Sequence, residues 1–278
     1  MKLKILLPTD LSDNSWNAMV YALHMFKNTP CVFYILHSYK IPASSMSNIS
    51  SKLMTTLKEK AVDELHDYKC QLQDAKINPE FDFEIILSSR DFIDAINVAV
   101  EDYLIDFIVM GTKGASKAKG FFYGSHTVKV LKKIKICPVL IVPQDYDYTP
   151  INQLAFPTDY NRFYDDKELR PIKLIASLQN ATIKILHINV ETHLSDIQKY
   201  NKTMLNEYLN KYNHSFHWMP DYTNKVEEIN TFIIDINIDL LVMINYEHSL
   251  VESIFNEPII KQISFQPRIP FLVIPGFA

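Results

Sequence analysis

The residues with the clearest capacity for chemistry lie in one window, MGTKGASKAKGFFYGSHTV, residues 110–128. The chain has five glycines, and four of them are here: Gly111, Gly114, Gly120 and Gly124. The fifth is Gly276. Glycine lets a backbone approach a ligand closely, and a helix start presents free N–H groups and the positive end of its dipole. Ser125 and Thr127 add hydroxyl donors where a helical pattern begins. Residues 107–144 contain no Asp or Glu but carry seven lysines, from Lys113 to Lys135. That field favours an anion, and phosphate suits all of these features. A plain flexible connector beside a solvated lysine face is the competing reading. The spacing is not that of a Walker P-loop, which needs Gly-Lys-Ser/Thr after four variable residues. Nor is it G-x-G-x-x-G, since Gly111 and Gly114 stand three apart.

Other reactive side chains form no comparable set. Cys31, Cys70 and Cys137 are odd in number and far apart, which argues for inert thiols rather than a metal site or disulfide framework. His37 and His187 read as satisfied histidines at strand ends. His214 and His217 would point to opposite faces of a strand, which argues against a shared metal. Asp10 and Asp13 are a candidate Mg2+ pair, but Asp13, like Ser12, also suits a helix N-cap. No Ser–His–Asp set and no general base emerges.

The window must be positioned by the elements around it, and those elements occur twice. ILLPTD (5–10) recurs as LAFPTD (154–159), and FYILHS (33–38) as IKILHI (183–188). IDFIVMG (105–111) recurs as IDLLVMI (238–244), and CPVLIVP (137–143) as IPFLVIP (269–275). Four matches in one order read as a tandem duplication, with domains at 1–146 and 151–278. Each copy alternates short apolar runs with amphipathic helical patterns. In the first copy the strands are KILLP, CVFYILH, FDFEIIL, IDFIVM and CPVLIVP. In the second they are QLAFP, TIKILHI, SFHWM, IDLLVM and PFLVI. Apolar strands separated by helices imply a parallel sheet covered on both faces. The expected fold class is therefore α/β, as two tandem doubly wound, Rossmann-like domains with five-stranded parallel sheets. In such sheets ligands bind beyond the carboxyl ends of the strands, where IDFIVM runs into the glycines.

The pattern Gly111-x2-Gly114-x9-Gly124-Ser125 resembles the nucleotide-binding motif of the universal stress protein family. The likeness extends to PTD after the first strand, LH in the second, VMG after the fourth and PVLIVP at the end. It covers residues 1–146 with the motif complete, and 151–278 with the motif lost. The resemblance implies an adenine nucleotide alpha hydrolase-like fold and bound ATP, or another adenine nucleotide, with Mg2+ as a companion. Carried over by position, Asp10 meets the ribose or adenine side, with Pro8 and Thr9 as the adjacent wall. Ser38 borders the base. Met110 and Gly111 meet the ribose side, Gly114 the phosphates, and Lys113 adds charge in the loop. Gly124, Ser125 and Thr127 bind phosphate from the helix start. His126 stands where relatives often carry a small apolar residue.

The second copy departs from this pattern. Ile244 replaces the first glycine, Glu247 the second, and Glu257–Pro258 the Gly–Ser. Bulk and carboxylates oppose an anion there, so nucleotide is expected in the first domain only. The resemblance also implies pairing of PVLIV with PFLVI into an intramolecular pseudo-dimer, and it leaves a further homodimer open. It implies a stress-response role as a nucleotide-responsive binding or regulatory module. Two alternatives stand beside it: a ligand-free interaction scaffold, and a slow ATPase or adenylyl-transfer enzyme using the same pocket. The enzyme reading lacks the Ser-Gly-Gly loop of such enzymes, because PTDLSDNS has no glycine.

Bulk properties fit this picture. Of 278 residues, 47 % are hydrophobic and 22 % charged, which is globular composition. Residues 1–146 carry 17 Lys and Arg against 16 acids, and the rest 11 against 16. An acidic chain without interleaved stacking aromatics argues against nucleic acid. No apolar run reaches the ~18 residues of a membrane span. Pro8 and Asp10 interrupt the first apolar stretch too early for a signal peptide, so a cytoplasmic location is expected.

Overall fold

The computed structural model describes residues 2–39, 51–75, 77–112, 124–189, 193–219, 225–246 and 268–276. The chain divides into two compact units, Met1–Asp147 and Tyr148–Ala278. The first runs β1 (Leu3–Thr9), α1 (Asp13–Met25), β2 (Cys31–Ser38), α2 (Ser51–Asp74) and β3 (Phe81–Ser88). It continues with α3 (Phe92–Tyr103), β4 (Phe107–Gly111), α4 (Ser125–Lys133) and β5 (Val139–Val142). Every pairing is parallel, in the order β3-β2-β1-β4-β5.

The second unit runs β6 (Gln153–Pro157), α5 (Asp166–Gln179), β7 (Thr182–Ile188), α6 (Asp196–Leu209) and β8 (His214–Met219). It ends with α7 (Lys225–Ile236), β9 (Leu240–Asn245) and β10 (Phe271–Pro275). Its strands are again parallel, in the order β8-β7-β6-β9-β10. Each unit is thus a five-stranded parallel α/β layer, as the repeated pattern requires.

Local chemistry sets the helix boundaries. Ser12 caps α1, its hydroxyl accepting from the Ser15 N–H, an arrangement that stabilises a helix by about 1 kcal/mol. Asp165 caps α5 by accepting from Glu168 N at 2.8 Å. Ser195 and Gln198 close a capping box on α6. Helix α1 buries Ala18, Met19, Ala22 and Leu23, one face at helical spacing, and packs on β1, β4 and β5. Helix α3 buries Ala95, Ile96, Ala99 and Val100 and packs on β1 and β2. Strands β4 and β9 are buried along their whole lengths, which explains their unbroken apolar sequences.

Strand order reverses direction between β1 and β4, and between β6 and β9. From β1 the chain moves outward through β2 and β3, then returns to the other side of β1 for β4. Helices on either side of such a point diverge and leave a crevice at the carboxyl ends of the strands. The glycine window of the first copy begins at the end of β4.

Candidate functional site

At the end of β1, Thr9 is buried and its hydroxyl is 2.8 Å from Ser15 Oγ. The same oxygen accepts from Leu11 N at 2.9 Å. Leu11 takes a left-handed backbone, φ 63°, which a non-glycine residue adopts only when held there. Asp10 projects at the tip, exposed, its Oδ1 accepting from the Ser12 hydroxyl at 2.5 Å. The Thr9 carbonyl accepts from His37 Nδ1 at 2.9 Å, so the proton of that imidazole sits on Nδ1. At the end of β2, Ser38 Oγ donates to the Arg90 carbonyl at 2.7 Å. This ties β2 to the segment leading into α3.

Met110 and Gly111 are buried at the end of β4, beside β1. Thr112 N donates to Val142 O at 3.0 Å. Gly124 N donates to Thr112 O at 2.5 Å, which ties the start of α4 to the end of β4. Lys113 and Gly114 lie outside the described residues. Gly124 is the N-cap of α4 and offers no side-chain cap, leaving the first-turn N–H groups to other partners. Ser125 and His126 are exposed there. The His126 ring lies 4.9 Å from Phe92, the first residue of α3. Thr127 is turned inward: it is buried, and its hydroxyl donates to Gly111 O and Thr112 O, each at 3.1 Å. Its role here is to pin α4 to the end of β4, and the outward hydroxyl of this turn is Ser125.

Pro8, Thr9, Asp10, Ser38, Met110, Gly111, Gly124, Ser125, His126 and Thr127 therefore lie along one carboxyl rim of the first sheet. The crevice between β1 and β4 is flanked by the start of α4, whose dipole favours an anion. Residues 124–144 carry lysines and no acid. Among the described residues no cluster of three His, Cys, Asp or Glu can hold a metal ion.

The second unit repeats the frame with larger side chains at the rim. Thr158 stands for Thr9: it accepts from Tyr160 N at 3.1 Å, and its carbonyl accepts from His187 Nδ1 at 2.9 Å. Tyr160, φ 58°, matches Leu11, but its ring is buried and stacks on His187 at 4.8 Å. Thr158 Oγ1 meets the Tyr164 hydroxyl at 2.9 Å, where Thr9 meets Ser15. Arg162 lies over Tyr246, its guanidinium carbon 4.5 Å from the ring centre, and 5.3 Å from the ring of Tyr164. Arg162 Nη2 donates to Glu168 Oε1 at 2.6 Å, and the Glu168 side chain is 1 % exposed. Burial raises the phenols of Tyr160, Tyr164 and Tyr246 above the ordinary tyrosine value, so they remain neutral donors. Gly276 makes room for this cluster. A Cβ there would come within 2.8 Å of Tyr246 Cβ and 3.1 Å of Arg162 Nη1. Glu247, Glu257 and Pro258 lie outside the described residues.

Reading the sequence for motifs overlooked Arg162, Tyr160 and Glu168. The register of PTDYNRFY against PTDLSDNS carries the signal for two of them, with Tyr160 in place of Leu11 and Arg162 in place of Asp13.

The fold places the chain among parallel α/β proteins with a ligand crevice at the strand ends. Residues 1–143 match the universal stress protein family, and the chain belongs to that family. A universal stress protein from Archaeoglobus fulgidus shares the fold over 98 % of this chain and 95 % of its own, at TM-score 0.70 and 19 % identity. A universal stress protein of Pseudomonas aeruginosa matches 98 % of this chain and 92 % of its own, at TM-score 0.62 and 14 % identity. The cytoplasmic domain of a prokaryotic cation chloride cotransporter matches 98 % and 95 %, at TM-score 0.54 and 10 % identity. No curated protein matches the sequence. Among the described residues no helix is long and apolar enough to cross a membrane.

Proposed function

We propose that this protein is a nucleotide-responsive binding or regulatory module of the stress response, holding ATP in its first domain, residues 1–146, and none in its second. The observation that carries the reading is the contrast between two matched crevices. In the first, β4 ends in Gly111, and Gly124, tied to Thr112, begins a helix without a side-chain cap. In the second, Tyr160, Arg162, Tyr164 and Tyr246 fill the corresponding rim, and Ile244 stands in place of Gly111. The Arg162 guanidinium is already paired with Glu168 through Nη2 and lies over the rings of Tyr164 and Tyr246.

In this reading the adenine lies toward Asp10 and Ser38, the ribose over the end of β4, and the phosphates at Gly114, Gly124 and Ser125. Mg2+ would accompany the phosphates. Nucleotide bound at the glycine window would change the surface offered to a partner, which is how such a module signals without catalysis. The second domain serves as the fixed half of an intramolecular pseudo-dimer.

The test is direct. The purified protein is denatured and any released nucleotide identified by mass-resolved chromatography, beside a Gly114→Glu variant that imitates Glu247. One adenine nucleotide per chain, lost in the variant, is the expected result. No nucleotide released, and none taken up from millimolar ATP and Mg2+, would overturn the reading and leave an interaction scaffold.

A further inference from the structure

Helix α4 opens without a side-chain cap, and its first backbone bond runs from Val128 N to Gly124 O at 3.1 Å. The N–H groups of Ser125, His126 and Thr127 therefore lie ahead of the helical ladder. Thr127 turns its hydroxyl back onto the carbonyls of Gly111 and Thr112, and Ser125 carries a neutral hydroxyl. Among the side chains of residues 124–128, His126 alone can carry a charge near neutral pH.

The imidazole is held at the level of those N–H groups. Its ring lies 4.9 Å from the ring of Phe92, tilted by 37°. Phe92 is the first residue of α3, and α3 packs against α4. Both rings belong to the opening turns of their helices, so their contact keeps the imidazole at the rim rather than along the helix barrel. His126 is exposed, and among the described residues no hydrogen bond or ion pair engages its ring nitrogens. The charged groups nearest to it along the two helices are Lys129 on α4, and Arg90, Asp91 and Asp94 about the start of α3, and all four are exposed.

Resting on the one-nucleotide reading above, we propose that the His126 imidazole adds a proton-dependent positive charge to the phosphate end of the nucleotide site, so that part of the affinity for ATP appears only as the pH falls. An anion held by these three N–H groups meets the backbone nitrogen of His126 itself, which brings its charge within roughly 8 Å of the imidazole. Histidine gains its proton between about pH 8 and 5. Over that distance, in a water-exposed and salt-screened site, one added charge beside a phosphate amounts to about fivefold in affinity. The carboxylates of Asp91 and Asp94 favour the imidazolium, and Lys129 and Arg90 oppose it, with or without nucleotide. Only a bound phosphate couples the proton on His126 to affinity.

The test measures ATP affinity of the full chain by equilibrium dialysis, with Mg2+ and at constant ionic strength, at pH 8 and pH 6, for wild type, His126→Gln and His126→Lys. Other groups titrate across this interval, the phosphates of ATP among them, so the quantity read is the change in affinity from pH 8 to pH 6 in each protein. Wild type should gain about fivefold more than His126→Gln, which is uncharged at both pH values. His126→Lys is charged at both. Its change should match that of His126→Gln, with an affinity at pH 8 about fivefold higher. Equal changes in wild type and His126→Gln overturn the inference, whether or not the variant binds more weakly, because a purely structural role acts alike at both pH values. That result leaves ATP bound and the one-nucleotide reading intact. Wild type that binds no ATP at either pH removes both, so the two failures are told apart.

Discussion

Removing the Arg162 guanidinium is the sharpest probe of the second unit. Arg162→Met keeps an unbranched stem over Tyr246 but leaves the Glu168 carboxylate at 1 % exposure without its 2.6 Å partner. Breaking a buried pair from one side costs about 3–5 kcal/mol. Two features move this case to the lower end. The Arg162 side chain is 24 % exposed, so water reaches part of the site. Glu168 is the third residue of α5, where the helix dipole favours a carboxylate by about 0.3–1 kcal/mol. A loss of about 3 kcal/mol is expected. Hydrogen exchange reads it locally: amides of β6, the 158–165 segment and α5 should exchange roughly 100-fold faster, at 1.4 kcal/mol per tenfold. The double variant Arg162→Met, Glu168→Leu removes both charges and should recover most of the loss, since apolar groups of similar shape replace a buried pair at little cost. A single variant within about 1 kcal/mol of wild type, with no coupling in the double-mutant cycle, would refute the reasoning, because that is how an exposed ion pair behaves.

Three further outcomes follow from particular residues. Gly276→Ala should destabilise the second unit by about 1–3 kcal/mol, because its Cβ would meet Tyr246 Cβ at 2.8 Å and Arg162 Nη1 at 3.1 Å; chemical denaturation measures it, and a neutral result would mean that the cluster yields freely. Maleimide at pH 8 should label the exposed Cys70 within minutes, and Cys31 and Cys137 only after unfolding. Burial pushes the Cys31 thiol up to about 12 and the Cys137 thiol higher still, and rapid labelling of either in the native protein would contradict this. Burial and the nearby Lys184 lower the pKa of His217 below its usual 6.5, so the unfolded chain takes up this proton first as pH falls. The contribution of His217 is complete above about pH 6.5 and is lost as the pH falls below it, so His217→Gln should show a smaller loss of stability between pH 7 and 5 than wild type. Parallel pH profiles for the two proteins would contradict that assignment.

The strands and most helices were legible because their signals are local. Apolar runs such as IDFIVM and CPVLIVP can be buried only in the middle of a parallel sheet, and Ser12 ahead of an amphipathic stretch can cap a helix from its own neighbourhood. The duplication was legible for the same reason, since each copy repeats these local signals in order. The glycine window could be assigned to the end of β4 because strand and glycines are contiguous in sequence.

What the sequence left undecided depends on residues that are far apart in the chain. Gly111 reads as a ligand-facing glycine until the fold brings Asn14 against it, 97 residues away in sequence. Thr127 reads as a phosphate donor until burial turns its hydroxyl onto the carbonyls of Gly111 and Thr112. Gly276 had no assigned purpose, and only the approach of Arg162 and Tyr246 gives it one. A side chain's type fixes what it can donate or accept. Which partner it meets is decided by packing, because a buried polar group must be satisfied by whatever the tertiary structure places beside it. The repeated sequence therefore determined two copies of one fold, and the tertiary contacts at the strand ends decided which side chains meet there: Asn14 against Gly111 in one unit, and Arg162 against Tyr246, Glu168 and Gly276 in the other.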